Sequence, residues 1–142
     1  MKSEMTGSSK GNPHAYRILI VDDEADLRTT LVKALSSRGY VPLEADGAVS
    51  AIELLRKEKV DVIISDVRMP NGSARDLLNW INRAQPADAR TPVILMSGYS
   101  EVIEYLACQL GVTIFLTKPL DLEVLSKAVE QALALVPLKK AN

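Results

Sequence analysis

Residues 18–39 read ILIVDDEADLRTTLVKALSSRG. An apolar run, Ile18 to Val21, stops abruptly at Asp22-Asp23-Glu24. Leu27, Leu31 and Leu35 then fall at i, i+4 and i+8, and Arg38-Gly39 supplies a helix stop. A short strand with no polar alternation is one buried on both faces, as in a parallel sheet. The stretch therefore predicts a buried strand, an acidic turn and an amphipathic helix in sequence.

The same unit recurs along the chain. Further strands are predicted at Val41–Ala45, Val62–Ile64, Val93–Met96 and Thr113–Leu116. Helical spacing intervenes at Ala51, Ile52, Leu54 and Leu55; at Leu77, Leu78 and Ile81; and at Val102, Ile103, Leu106, Ala107 and Leu110, where Gly111 is the stop. A last helix carries Leu122, Leu125, Val129 and Leu133, with Asp121 as its N-cap. Strict alternation implies an α/β fold, a doubly wound five-stranded parallel sheet of (βα)5 type with helices on both faces. Pro42 and Glu44 put the second strand at an edge. Residues 1–15 are rich in Ser, Gly and Lys and predict a disordered tail. The domain is expected over 16–136, with a short tail at 137–142.

Composition narrows the function. The chain has 142 residues, 47% hydrophobic and 25% charged, and a formal net charge of −1 from 17 basic and 18 acidic side chains. This gives no bulk positive field to draw nucleic acid or anionic lipid, so direct nucleic-acid binding is not expected. Cys108 is the single cysteine and His14 the single histidine, so neither a disulfide within the chain nor a histidine metal site is expected. No apolar run approaches the roughly 20 residues that span a bilayer, and no signal-peptide core is visible, so a cytoplasmic location is expected.

Polar residues break the pattern at particular places. Asp22 and Asp23 follow the first apolar run, Ser97 follows the fourth, Asp66 comes just past the third and Lys118 just past the fifth. Each lies at the C-terminal end of a strand, the edge where open α/β sheets bind ligands. Strand order 2-1-3-4-5 would gather Asp22, Asp23 and Asp66 in one crevice. Three carboxylates together would force a proton onto one of them unless a cation intervenes. Mg²⁺ suits oxygen donors at about 2.1 Å and retains several waters. With Mg²⁺ and Lys118 the formal charges balance. A carboxylate, a divalent cation, a lysine and a hydroxyl match phosphoryl transfer, with Asp66 as nucleophile, Asp22 and Asp23 as metal ligands, and Ser97 and Lys118 on the phosphoryl oxygens. Taken singly, each residue has a plainer reading: the acidic run as helix-end charge, Asp66 and Ser97 as turn formers, Phe115 and Trp80 as packing. Their coincidence on one sheet edge favours a site.

With these motifs in order (ILIVDDEADLR, DVIISDVRMP, PVILMSGYS and FLTKPL), the chain closely resembles the receiver domains of bacterial response regulators over residues 16–136. The resemblance implies the flavodoxin-like receiver fold, strand order 2-1-3-4-5, and Mg²⁺-dependent phosphotransfer onto Asp66 from a sensor histidine kinase or phosphotransfer protein. It adds the backbone carbonyl of Arg68 as a metal ligand, Phe115 as the aromatic switch partner of Ser97, and a cis Lys118-Pro119 bond. Arg68 and Tyr99, two residues past Asp66 and Ser97, would flank the line of water attack and shield the phosphoryl group. The helix 4–strand 5–helix 5 surface would regulate an output domain or protein target, or pair with a second copy. The match departs from the family pattern in the loop after the third strand, where Ser73-Ala74 stand in place of an Asp-Gly or Asn-Gly pair. A haloacid-dehalogenase-type hydrolase would separate its first-strand aspartates by one residue, whereas Asp22 and Asp23 are adjacent. A flavodoxin-type FMN binder would carry a Ser/Thr/Gly-rich loop where this chain is acidic. A free-standing receiver and the receiver of a longer regulator both fit the sequence.

Overall fold

The computed structural model describes residues 15–67, 69, 73–98 and 114–136. Strand β1 (Arg17–Val21) leads into helix α1 (Ala25–Ser36), followed by β2 (Val41–Ala45), α2 (Ala48–Lys57), β3 (Val62–Asp66), α3 (Ala74–Ala84), β4 (Val93–Ser97), β5 (Ile114–Thr117) and a C-terminal helix (Leu122–Leu133). The fourth of the helices expected from sequence lies outside the described residues, as does the N-terminal tail through residue 14.

The strands form one parallel sheet in the order β2-β1-β3-β4-β5. This is the expected order, and β2, with Pro42 and Glu44, is an edge. Successive side chains on a strand point to opposite faces, which divides the interior into two cores. Leu19, Val21, Ile63, Val93 and Leu95 face α2 and α3. Ile18, Ile20, Val62, Ile64, Ile94 and Met96 face α1 and the C-terminal helix. Burial on both sides explains why these strands read as unbroken apolar runs.

Local chemistry ends the helices where the sequence suggested. Gly39 has φ +87°, a left-handed conformation that costs a glycine little, and it turns the chain out of α1 into β2. Asp121 caps the C-terminal helix by accepting from the amides of Glu123 and Val124. Leu31 and Leu35 are buried as expected, and Trp80 packs against the core. Leu122, expected in the buried stripe of the last helix, is exposed; the stripe runs instead through Leu125, Ala128, Val129 and Ala132. Ser73, at the departure from the family pattern, is the N-cap of α3 and forms a reciprocal capping box with Asp76. Among the described residues, no helix is long and apolar enough to cross a membrane.

Candidate functional site

The C-terminal ends of β1 and β3 lie side by side because these strands pair in register, Val21 with Ser65. The third strand runs two residues further than its apolar pattern, taking in Ser65 and Asp66, and Asp66 pairs with Met96 of β4. The buried Ser65 hydroxyl is satisfied locally, donating to the Asp66 carbonyl at 2.8 Å. Asp66 thus belongs to a central strand. Its Oδ1 accepts the Val67 amide at 2.9 Å.

Asp22, directly beyond β1, is fully buried. Its amide donates to the Ala45 carbonyl at 3.1 Å, and its Oδ1 accepts the Glu24 amide at 2.8 Å. Its other oxygen, Oδ2, is buried and accepts no hydrogen bond among the described residues. Asp23 is exposed. Asp22, Asp23 and Asp66 each offer an oxygen within 4.8 Å of the others, the convergence expected from strand order.

Lys118 completes the cluster. Its amide donates to the Ser97 carbonyl at 2.8 Å, extending the β4–β5 ladder past Thr117. Its Nζ lies 3.4 Å from Asp66 Oδ2 and 3.5 Å from Asp22 Oδ2, and 4.0 Å from Glu24 Oε1. The Lys118-Pro119 bond is cis. Burial raises the Asp66 pKa, and the neighbouring Asp22 charge adds to this against the opposing pull of Lys118. Burial alone would lower the Lys118 pKa, but Asp66 and Asp22 outweigh it and hold the ammonium above its ordinary value. The lysine is therefore charged, and the negative charge around it is only partly balanced.

The donors fit a hard divalent cation. They are carboxylate oxygens only, they converge, and the buried Asp22 Oδ2 accepts no hydrogen bond among the described residues. Ser97 is buried at the same sheet edge. Phe115 sits half-buried in β5 opposite Leu95. Arg68 and Tyr99 lie outside the described residues. Two participants went unread in the sequence. Glu24 reaches Lys118, and Arg28 donates from Nη1 to the Asp22 carbonyl at 2.7 Å and from Nε to Glu44 Oε1 at 3.0 Å. A glutamate in an edge strand is a signal that could have pointed to a cationic partner such as Arg28.

The family model of the response regulator receiver domain matches residues 18–130, and the aspartate cluster and lysine fall within that span. The chain belongs to the response regulator receiver domain family. As a receiver domain it is a phosphoacceptor of two-component phosphorelay signalling, a switch rather than an enzyme. It is 36% identical over 117 residues to the transcriptional regulatory protein GlrR of Escherichia coli, covering 82% of this chain and 26% of the relative. The chain thus spans about a quarter of the length of that regulator. It is 28% identical to the sporulation initiation phosphotransferase F of Bacillus subtilis, covering 84% of this chain and 94% of the relative. Among solved structures, chemotaxis response regulator CheY4 of Vibrio cholerae matches with TM-score 0.75 and 27% identity, over 83% of this chain and 98% of that one. The receiver family supersedes the dehalogenase and flavodoxin alternatives.

Proposed function

We propose that Asp66 is the phosphoacceptor, that Asp22, Asp23 and Asp66 hold Mg²⁺ together with the backbone carbonyl of Arg68, and that Ser97 and Lys118 bind the phosphoryl oxygens. The observation that carries this reading is the convergence of three carboxylates at one sheet edge, with the Lys118 ammonium within 3.5 Å of two of them, Asp22 and Asp66. When bound, Mg²⁺ supplies charge neutralisation for the transferring group. Lys118 would add a second positive charge beside Asp66. A carboxylate oxygen of Asp66 bonds to phosphorus as the P–N bond of a phosphohistidine breaks, and the imidazole nitrogen keeps the electron pair. The main-chain bond from Val67 to Oδ1 limits rotation of the nucleophile, which favours attack from one orientation.

The donor is a sensor histidine kinase or phosphotransfer protein. The new group carries nearly two negative charges and three acceptor oxygens. It draws the Ser97 hydroxyl toward it and lets Phe115 turn inward, altering the surface of the fourth expected helix, β5 and the C-terminal helix. An output domain, a protein target or a second copy reads that surface. The working unit is residues 16–136, in the cytoplasm.

The test is incorporation of a phosphoryl group from acetyl phosphate, followed by intact-mass spectrometry. Wild type should gain one group in Mg²⁺ and none in chelator, and Asp66→Asn should gain none. Equal labelling of Asp66→Asn would overturn the acceptor assignment.

A further inference from the structure

Asp22 is held at nearly every polar atom. Its amide is tied to Ala45 of β2, its Oδ1 to the Glu24 amide, and its carbonyl to Arg28. What remains is Oδ2, buried, without a hydrogen-bond donor among the described residues, and turned toward Lys118 and Asp66. The only side chain among these restraints is Arg28, in the first turn of α1, with 19% of its side chain exposed. One arm of its guanidinium meets the Asp22 carbonyl at 2.7 Å and its Nε meets Glu44 Oε1 at 3.0 Å. Glu44 belongs to the edge strand, where it pairs in register with Ile20. The two bonds therefore link the acidic turn, α1 and β2 at one point.

We propose that Arg28, braced by Glu44, is a positioning residue that presents the Asp22 carboxylate to the cation site. This rests on the reading of that site as a Mg²⁺ site. The planar fork of arginine carries the role: it donates along two fixed directions at once, to a carbonyl and to a carboxylate. A lysine keeps the charge but offers one mobile ammonium, and a glutamine keeps a donor without charge. Groups that orient metal ligands from behind typically change metal affinity by about 10–100-fold when removed. Asp22 is held here through its main chain, a less direct route, so the lower end of that range is expected.

The experiment is titration of the whole chain with Mg²⁺ alone, followed by amide NMR and calorimetry. Arg28→Lys should weaken Mg²⁺ binding about tenfold, and Glu44→Gln should weaken it less. In metal-free buffer the Glu24 amide, which reports on Asp22 Oδ1, should exchange faster in Arg28→Lys than in wild type. At saturating Mg²⁺ the labelling rate from acetyl phosphate should return to within about twofold of wild type, because the lost order is restored by binding. A role confined to stability would lower Tm while leaving Mg²⁺ affinity and Glu24 exchange unchanged, and that result would overturn the proposal. Wild-type affinity in Arg28→Lys with loss in Arg28→Gln would also overturn it, by showing that charge alone suffices. Asp22→Asn separates the two readings. If it abolishes Mg²⁺ binding while Arg28→Lys does not weaken it, only the positioning role fails. If Asp22→Asn also binds as wild type does, the metal reading itself fails.

Discussion

Replacing Asp66 by asparagine should stabilise the metal-free protein, although it removes the proposed phosphoacceptor. The substitution keeps shape and deletes a charge. Burial is the largest cost of the Asp66 charge, and Asp22, with an oxygen within 4.8 Å, adds a repulsion of about 3.5 kcal/mol at an effective dielectric of about 20. Lys118, at 3.4 Å from Asp66, returns about 5 kcal/mol on the same scale. Lys118 reaches solvent, which screens its contribution, so burial and Asp22 together leave an imbalance of about 1–2 kcal/mol against ionised Asp66. For a chain of this size that corresponds to a rise in Tm of roughly 3–8 °C in Asp66→Asn. The pH dependence follows from the raised pKa of Asp66. A carboxyl whose folded pKa exceeds its unfolded value stabilises the fold while protonated, and that contribution is lost as pH rises through the folded pKa. The gap between variant and wild type should therefore be widest at neutral pH. It should shrink as pH falls from above the ordinary carboxylate value of about 4 towards it. Saturating Mg²⁺ should raise the wild-type Tm and close the gap, because ligand binding to the native state adds stability. Lys118→Met, which strips the compensating cation, should shift Tm the other way. The assay is thermal unfolding followed by circular dichroism, in chelator and in Mg²⁺, across pH. An Asp66→Asn variant no more stable than wild type at neutral pH without metal would refute the electrostatic reasoning.

Other outcomes are expected. Beryllofluoride, an aspartyl-phosphate mimic, should shift amides at Ser97, at Phe115 and along β5 and the C-terminal helix in NMR spectra, and Ser97→Ala should blunt the changes beyond the site; shifts confined to the acidic turn and the β3 end would contradict the switch. Arg68→Ala with Tyr99→Ala should speed loss of the phosphoryl group about tenfold, roughly 1.4 kcal/mol of barrier; equal or slower decay after donor removal would mean that neither side chain shields phosphorus. Ser73→Ala, which removes the capping box of α3, should cost about 1 kcal/mol in denaturant unfolding without changing Mg²⁺ affinity; an altered affinity would tie that cap to the site.

Much of this architecture is legible in the sequence because parallel strands buried on both faces leave unbroken apolar runs, as at Ile18–Val21 and Val93–Met96. The acidic pair and Lys118 stand out for a related reason: charge directly after such a run has nowhere to lie except the C-terminal edge of the sheet. Periodicity was silent where tertiary pairing decides. Ser65 and Asp66 are strand residues because their backbones pair with Leu95 and Met96, although their side chains are those of a turn. Leu122 has the spacing of a core residue yet is exposed in the first turn of its helix. Arg28 and Glu44 are sixteen residues apart, in a helix and an edge strand. Each alone reads as an ordinary surface charge, and only the β1–β2 pairing brings them together behind Asp22.

The most direct measurement locates the phosphoryl group itself. The protein is labelled with acetyl phosphate in Mg²⁺, reduced with borohydride, digested and mapped by peptide mass spectrometry. Reduction converts an aspartyl phosphate to homoserine and leaves a free carboxylate untouched. Homoserine is expected at position 66 alone, dependent on Mg²⁺. Homoserine at position 22 or 23, or a stable phosphate ester on Ser97 with Asp66 unmodified, would contradict it.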